Sequence, residues 1–416
     1  MVVWGVLTIG GTAVAAAVRR SGDGRLPDVP PFARHWPPHG GLPALVAAVL
    51  AALVVLAGLR GWAERLPWRA VLGASFLVAT AWALALAATG AGLARAAGVD
   101  ALTAAARAVG ADPGSFLDAA DTGAAGDVPP GGVLMVWALQ HAGVTTSARV
   151  SAALTVLGSL AVPCILVAVR SLCHEPAARR LAPVLSIAPF AVWTAGSIDA
   201  VVLALTAAAI ACGLVGSEPR RTPAWAAAAG FLLGAATLVS YVAWGLAAAV
   251  VITYFVRRRP LPNLVTGFAF LVPLFGAQLA GFVWSQGFGS ARTQLRAATS
   301  GRPGLVWLAL DVVVVVAVAG PTLVASARKI RRTPGWPFLV GATIGLGFAV
   351  ATGLSRGDGE RALLPFLPWL LVAAVAPERR PTSGDPPERT AAVFPAALTA
   401  VGAAVAVLWQ VLAAGP

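Results

Sequence analysis

The sequence predicts an all-α, polytopic membrane protein of about 11–13 transmembrane helices, with a long outer-face loop after the third span. Three observations carry this. The 416 residues are 58% hydrophobic and only 11% charged, whereas a soluble chain is roughly half apolar and about a quarter charged. The apolar residues come in runs, most of them close to the roughly 20 residues a helix needs to cross a bilayer. The cations gather in short stretches between those runs, as they do in cytoplasmic loops.

In order, the apolar runs lie near 1–18, 42–59, 70–88, 148–169, 181–196, 200–216, 223–238, 240–256, 262–284, 304–326, 336–353, 362–376 and 391–413. Residues 1–18 have arginines after them and no basic region before them, the pattern of a first span and not of a cleaved signal. The runs at 181–216 and 223–256 are tight pairs, which sets the spread in span number. Residues 1–416 read as one integral membrane domain, multi-pass in the plasma (inner) membrane. With the N-terminus inside, the loops at 60–69, 170–180, 217–222, 257–261, 327–335 and 377–390 all become cytoplasmic. They hold more than half of the 30 basic residues, including RRR at 257–259 and RKIRR at 328–332. The bias is weak at the start, because Arg19, Arg20, Arg25 and Arg34 fall outside.

The longest connection, 89–147, carries Asp100, Asp112, Asp118, Asp121 and Asp127 on the outer face. Its DALTAAARAV (100–109) reads as an amphipathic helix on the membrane surface. Its GVLMVWALQ (132–140) is too short to span and reads as interfacial or re-entrant.

Composition also excludes function classes. The net charge of +13 is nearly all arginine, with Lys329 the one lysine; no soluble basic domain or RNA-binding motif accompanies it, so no nucleic-acid partner is expected. Uniform arginine with abundant alanine points to a GC-rich bacterial genome. Cys164, Cys173 and Cys212 have neither CxxC spacing nor a disulfide pattern and read as small buried hydrophobes. His35 and His39 in HWPPHG lack helical ligand spacing, so no metal site and no cofactor are expected. No P-loop or dinucleotide fingerprint appears, and with no DxD motif or soluble domain a cytosolic nucleotide-sugar transferase is disfavoured.

Ionisable residues within membrane segments are functional candidates, since each costs about 2.5–3.5 kcal/mol to insert. Asp311, in LVWLALDVVVVV, lies about two turns into its span; it is either paired structurally with an arginine of a neighbouring helix or part of a site. Asp199, in TAGSIDAVV, is either a helix N-terminal carboxylate beside Ser197 or a site residue. The densest cluster is GLSRGDGERALLPFLPWLL (353–371), where Arg356, Asp358, Glu360 and Arg361 share one short outer loop. Helical spacing predicts the pairs Arg356–Glu360 and Asp358–Arg361. Such a loop is either merely solvated or a seat for a lipid phosphate, because guanidinium donors match phosphate oxygens. The outer loop at 285–304 adds Arg292, Arg296 and Arg302.

LSRGDGERALLPFLPWLL resembles a signature, LSKGEvERiwLPFaPWLL, of actinobacterial multi-spanning proteins related to polyprenyl-phosphate-dependent glycosyltransferases of the GT-C class, similar to methylthioxylose and arabinofuranose transferases. VPPGGVLMVWAL (128–139), SIDA (197–200), SY (240–241), RP (302–303) and GP (320–321) add shorter matches, and together the pattern covers roughly residues 40–376. The resemblance implies an outer-face active site. There, a loop carboxylate (Asp118, Asp121 or Asp127) acts as general base, and Arg356, Arg361 and Glu360, with Arg292 and Arg302, hold the lipid phosphate. It implies as partners a polyprenyl-phosphate-linked sugar donor, an envelope glycan or lipid acceptor, and membrane lipids. Two departures are plain: Thr89 stands where the family has an aspartate, and Val128 where it has the histidine of HPPG. The alternative is a non-enzymatic protein, either a lipid-linked sugar transporter or a catalytically inactive homologue. The lack of a convincing internal repeat favours the enzyme fold over a transporter.

Overall fold

A computed structural model describes residues 2–20, 41–89, 98–110, 113–121, 129–219, 221–329, 333–375 and 389–412. Among them every regular element is helical. In a bilayer each backbone amide and carbonyl needs a partner within its own segment, which a helix provides.

The chain opens with α1 (Val2–Arg20) and α2 (Leu42–Leu59), a four-residue α3 (Trp62–Arg65), and α4 (Trp68–Thr89). The long connection follows as α5 (Val99–Ala108), α6 (Pro113–Asp121) and α7 (Gly131–His141). Next come α8 (Ser147–Ser159), α9 (Ala161–Cys173), α10 (Glu175–Ser186), α11 (Ile198–Gly216), α12 (Ala224–Val239), α13 (Ala247–Val256) and α14 (Leu261–Leu279). The rest is α15 (Trp284–Ala298), α16 (Gly304–Ala319), α17 (Pro321–Lys329), α18 (Trp336–Thr352), α19 (Gly359–Ala362), α20 (Leu367–Val375) and α21 (Arg389–Leu412).

Five helical segments among the described residues are long and apolar enough to cross a membrane: α2, α4, the continuous α8–α9 unit, α11 and α14. The bent α16–α17 pair makes a sixth if counted as one span. Reaching 11 spans requires the shorter apolar helices, such as α12, α18 and Tyr241–Val256, to cross as well. The protein is thus a multi-pass, all-helical membrane protein. The apolar run at 304–326, expected as one straight span, is instead broken by 100° between α16 and α17. The cause is local. Gly320 takes φ +70, which glycine tolerates, and Pro321 disfavours helical backbone at the residue before it.

Small residues set the closest helix contacts. Gly230 and Gly234 of α12 face the carbonyls of Thr266 and Phe270 on α14, where any side chain would collide with backbone. Their GxxxG spacing is the form that lets two membrane helices approach without side chains between them. Gly341 of α18 meets Ala249 of α13 in the same way.

Among the described residues, the basic loops near 60–69, 170–180 and 257–259 share one end of the molecule. Arg179 donates to the carbonyls of Ala63 and Leu66, and the Arg170 guanidinium lies 4.8 Å from the Trp68 ring centroid. Arg257 bonds Leu214 O at 2.8 Å and Ser217 Oγ at 2.6 Å, and also the Ser171 carbonyl. It therefore ties the ends of α9, α11 and α13 together. This cation, expected as a loop charge in water, is a half-buried clamp. A Cβ on Gly335 would lie 3.2 Å from Cys173 Sγ, bringing the α17–α18 connection to the same end.

The long connection docks against the helices. In α5, Val99, Ala106 and the adjoining Val109 join Val133 and Val136 of α7 and Val150 and Leu154 of α8 in one cluster. Trp137 Nε1 donates to Gly110 O at 2.9 Å, and Gln140 Nε2 to Thr103 O at 3.0 Å. The observed α5 and α7 match the expected 100–109 and 132–140 segments to within a residue or two.

Candidate functional site

Opposite the arginine-rich end, the 353–361 loop joins three other parts of the chain. Two glycines, Gly353 (φ +82) and Gly357 (φ +89), turn the backbone where other residues are strained. Between them, Ser355 drops inward and donates its hydroxyl to Asp311 Oδ2 at 2.6 Å. Ser355 and Asp311 are buried, at 1% and 5% exposure. Gly359 packs so close that a Cβ there would lie 2.6 Å from Asp311 Oδ1. Asp311 thus anchors the loop from inside α16, and Arg356 is within electrostatic reach of it.

The two arginines of the signature meet different elements. Arg356 lies over the start of α16, its NH2 atom 3.2 Å from where a Gly304 Cβ would be. Arg361 faces Asp358, with NH1 3.7 Å from Oδ2, and sits 3.7 Å from the Gly98 Cβ position at the start of α5. Asp199 is within electrostatic reach of both Asp358 and Arg361. Ser197 caps α11, accepting from the Asp199 amide at 3.1 Å, and its hydroxyl meets Asp199 Oδ2 at 3.3 Å. Asp199 is therefore a helix N-terminal carboxylate and also a neighbour of the arginine loop. The two readings open for it converge.

Glu360 differs from expectation. The sequence pairs it with Arg356 across one helical turn, yet α19 begins only at Gly359, so Arg356 lies outside the helix. Glu360 turns inward instead, at 1% exposure, and its Oε1 has no hydrogen-bond partner among the described residues. Burial first, and Asp358 second, push its carboxyl well above the usual carboxylate range. The expected Asp358–Arg361 pair is present; in place of the expected Arg356–Glu360 pair, Arg356 lies within electrostatic reach of Asp311.

Arg292 of α15 donates from Nε to Thr352 O at 3.3 Å and covers the Phe288 ring at 5.5 Å. Arg302 lies 6.0 Å from the Trp307 ring centroid. Tyr241, of the SY pair, packs edge-on against Trp284 at 5.5 Å, and Phe288 stacks on Trp284 at 5.2 Å, forming one aromatic cluster. The α6 helix packs against α15. Asp118 and Asp121 fall near its C-terminus, but their side chains lie outside the described residues, as do Asp127, Val128 and the His35–His39 segment entirely. Thr89 is buried and bonds the carbonyl of Ala85 at 2.8 Å. Sequence reasoning missed Ser355 as the partner of Asp311, and Gly98 and Gly359 as the positions that let the elements close. The glycines alternating with charges in SRGDGER were the available signal. No group of three or more metal-ligating side chains occurs among the described residues.

No family model matches the chain, and no curated protein matches it. Among solved structures, the crystal structure of ArnT from Cupriavidus metallidurans in the apo state is similar at 16% identity, covering 70% of this chain and 73% of that one, with a TM-score of 0.28. A likeness at that score carries no weight for fold or function, which rest on the residues described above.

Proposed function

We propose that the chain is a GT-C-like membrane glycosyltransferase that moves a sugar from a polyprenyl-phosphate donor to a cell-envelope glycan on the outer face of the plasma membrane. The single observation that carries this is the 353–361 loop. It holds two half-buried arginines at one membrane end, Arg361 beside Asp358 of its own loop and within electrostatic reach of Asp199, and Arg356 within electrostatic reach of Asp311. Solvated ion pairs contribute only about 0–1 kcal/mol, so stability is a poor reason to bury such a cluster. Binding a phosphate is a better one, because cationic donors stabilise the charge that gathers on a departing phosphate. In this reading Arg356 and Arg361 hold the lipid phosphate, and Arg292 and Arg302 flank it. A carboxylate takes the acceptor proton, a role worth about 10²–10⁴-fold. The resemblance assigns that proton to Asp118, Asp121 or Asp127; Asp199 is the carboxylate near Arg361 among the described side chains.

Thr89 favours a second reading, a catalytically inactive homologue that binds the lipid without transferring sugar. Its hydroxyl is turned onto its own helix, so it does not replace the family's aspartate. One experiment separates the two. Purified protein is given a radiolabelled polyprenyl-phosphate sugar and an envelope-glycan acceptor, and both transfer and donor binding are measured. Transfer that is lost in Arg361→Gln, with native folding, supports the enzyme. Binding without transfer supports the inactive homologue. Failure of the native chain to bind the donor refutes both.

A further inference from the structure

At the arginine-rich end, far in sequence from the loop just described, α2, α3, α4 and α10 enclose a cleft of about 300 Å³. Leu50, Val54, Trp62, Val78 and Pro183 contribute to its apolar wall. Of the lining side chains only Ser75 and Ser186 carry hydroxyls, and Ser186 already donates to Ala182 O at 2.8 Å. Protein interiors hold few voids larger than a water, and a cavity half this size is large enough to bind benzene. A space of this size and apolar lining fits hydrocarbon.

The cleft has a depth and a polarity. The helix from Leu50 to Arg60 covers about 15 Å at ~1.5 Å per residue, which is half of the ~30 Å hydrocarbon core. The cleft therefore runs through one leaflet. Three exposed arginines, Arg60, Arg65 and Arg69, lie within two residues in sequence of the lining residues Gly58, Ala63, Leu66 and Val71. The nearby acid, Glu64, faces Arg180 at 3.9 Å, and Trp62 at the mouth is 50% exposed, as a tryptophan at a headgroup boundary is.

We propose that this cleft binds one anionic phospholipid of the leaflet on the arginine-rich side, its acyl chain between α2 and α10 and its phosphate at Arg60, Arg65 and Arg69. The apolar wall accepts any chain, and the arginines select the headgroup. This site is independent of the proposed transfer reaction and stands if that reading fails.

The test uses the full chain in nanodiscs of equal phosphatidylglycerol and phosphatidylcholine, released for native mass spectrometry. The native chain is expected to retain one lipid, with phosphatidylglycerol preferred by roughly fivefold for each engaged arginine. Ala74→Trp, which fills the cleft from α4, is expected to lose that adduct. The Arg60→Gln, Arg65→Gln double variant is expected to keep an adduct but lose the headgroup preference. Equal retention of the two lipids by the native chain overturns the proposal. So does an undiminished adduct in Ala74→Trp with a native thermal midpoint. Should Ala74→Trp fail to fold, the headgroup preference of the native chain and of the arginine variant decides.

Discussion

Replacing Ser355 with alanine tests whether Asp311 anchors the arginine loop. The hydroxyl lost is small, so the cavity term is minor, and the effect reports mainly the 2.6 Å bond to Asp311 Oδ2. In water-soluble proteins a hydrogen bond to a charged group is worth about 1.5–3 kcal/mol. Between membrane helices, double-mutant cycles give less, about 0.6 kcal/mol on average and about 1.7 at most. Both partners are nearly fully buried, and the orphaned carboxyl has little water to turn to. The expected loss is therefore at the upper end, about 1.5–2 kcal/mol. Denaturant-induced unfolding in detergent, run on Ser355→Ala, Asp311→Leu and the double variant, isolates the pair. The double variant is expected to be more stable than the sum of the singles predicts, by about 1 kcal/mol or more. Binding of polyprenyl phosphate is expected to weaken in Ser355→Ala because the loop carrying Arg356 loses its anchor. Stability within about 0.3 kcal/mol of native, with unchanged binding, would refute the anchoring argument.

Arg257→Ala is expected to destabilise the protein by about 1–3 kcal/mol, because it strips partners from helix-end carbonyls, and Arg257→Lys to recover only part of this for lack of a fork; thermal unfolding of the two variants checks it. Glu360 has a carboxyl raised in the folded state, so its contribution is full below the ordinary value of about 4.3 and is lost as pH rises toward the raised one. Glu360→Gln is thus expected to match the native thermal midpoint near pH 4 and exceed it at pH 8; a native midpoint that does not fall relative to the variant removes the case for a buried, protonated acid. Amides of α5 and α7 are expected to exchange slowly with deuterated solvent in nanodiscs, since Trp137 and Gln140 bridge them; exchange as fast as in an unfolded peptide would show the connection to be undocked.

Much of the architecture is legible in sequence because the bilayer makes hydropathy a nearly one-variable problem. Run lengths place most of the helices, though the run at 181–196 is met only by the end of α10 (Glu175–Ser186), and the arginine clusters near 60–69, 170–180 and 257–259 meet at one end, where Arg179, Arg170 and Arg257 touch their neighbours. What hydropathy cannot register is direction within a run: Gly320 and Pro321 break 304–326 by 100° while leaving its apolarity intact. Charge counting has a similar blind spot. It assigns Arg257 to a side of the membrane but says nothing of the three helix ends it ties. At the candidate site the helical pairing rule succeeded for Asp358–Arg361 and failed for Arg356–Glu360. That rule presupposes a continuous helix, and α19 has only four residues, starting at Gly359. The Ser355–Asp311 bond joins residues far apart in sequence, which no local pattern reveals.

The failed pair has a consequence for the proposed chemistry. Arg361 has Asp358 at 3.7 Å and Asp199 within electrostatic reach. Were Glu360 ionised as well, three carboxylates would crowd one guanidinium, and an incoming phosphate would meet net negative charge. Attraction between unit charges at about 4 Å is several kcal/mol in a protein-like dielectric, and repulsion is equally large. Burying Glu360 beside Asp358 favours its protonated form and so lessens the negative charge there without removing the side chain. The arginine then has one negative neighbour fewer to repel a lipid phosphate, while Asp358 still fixes its orientation. In the proposed reading, the acid that the sequence offers as a partner for an arginine serves the site best in its protonated form.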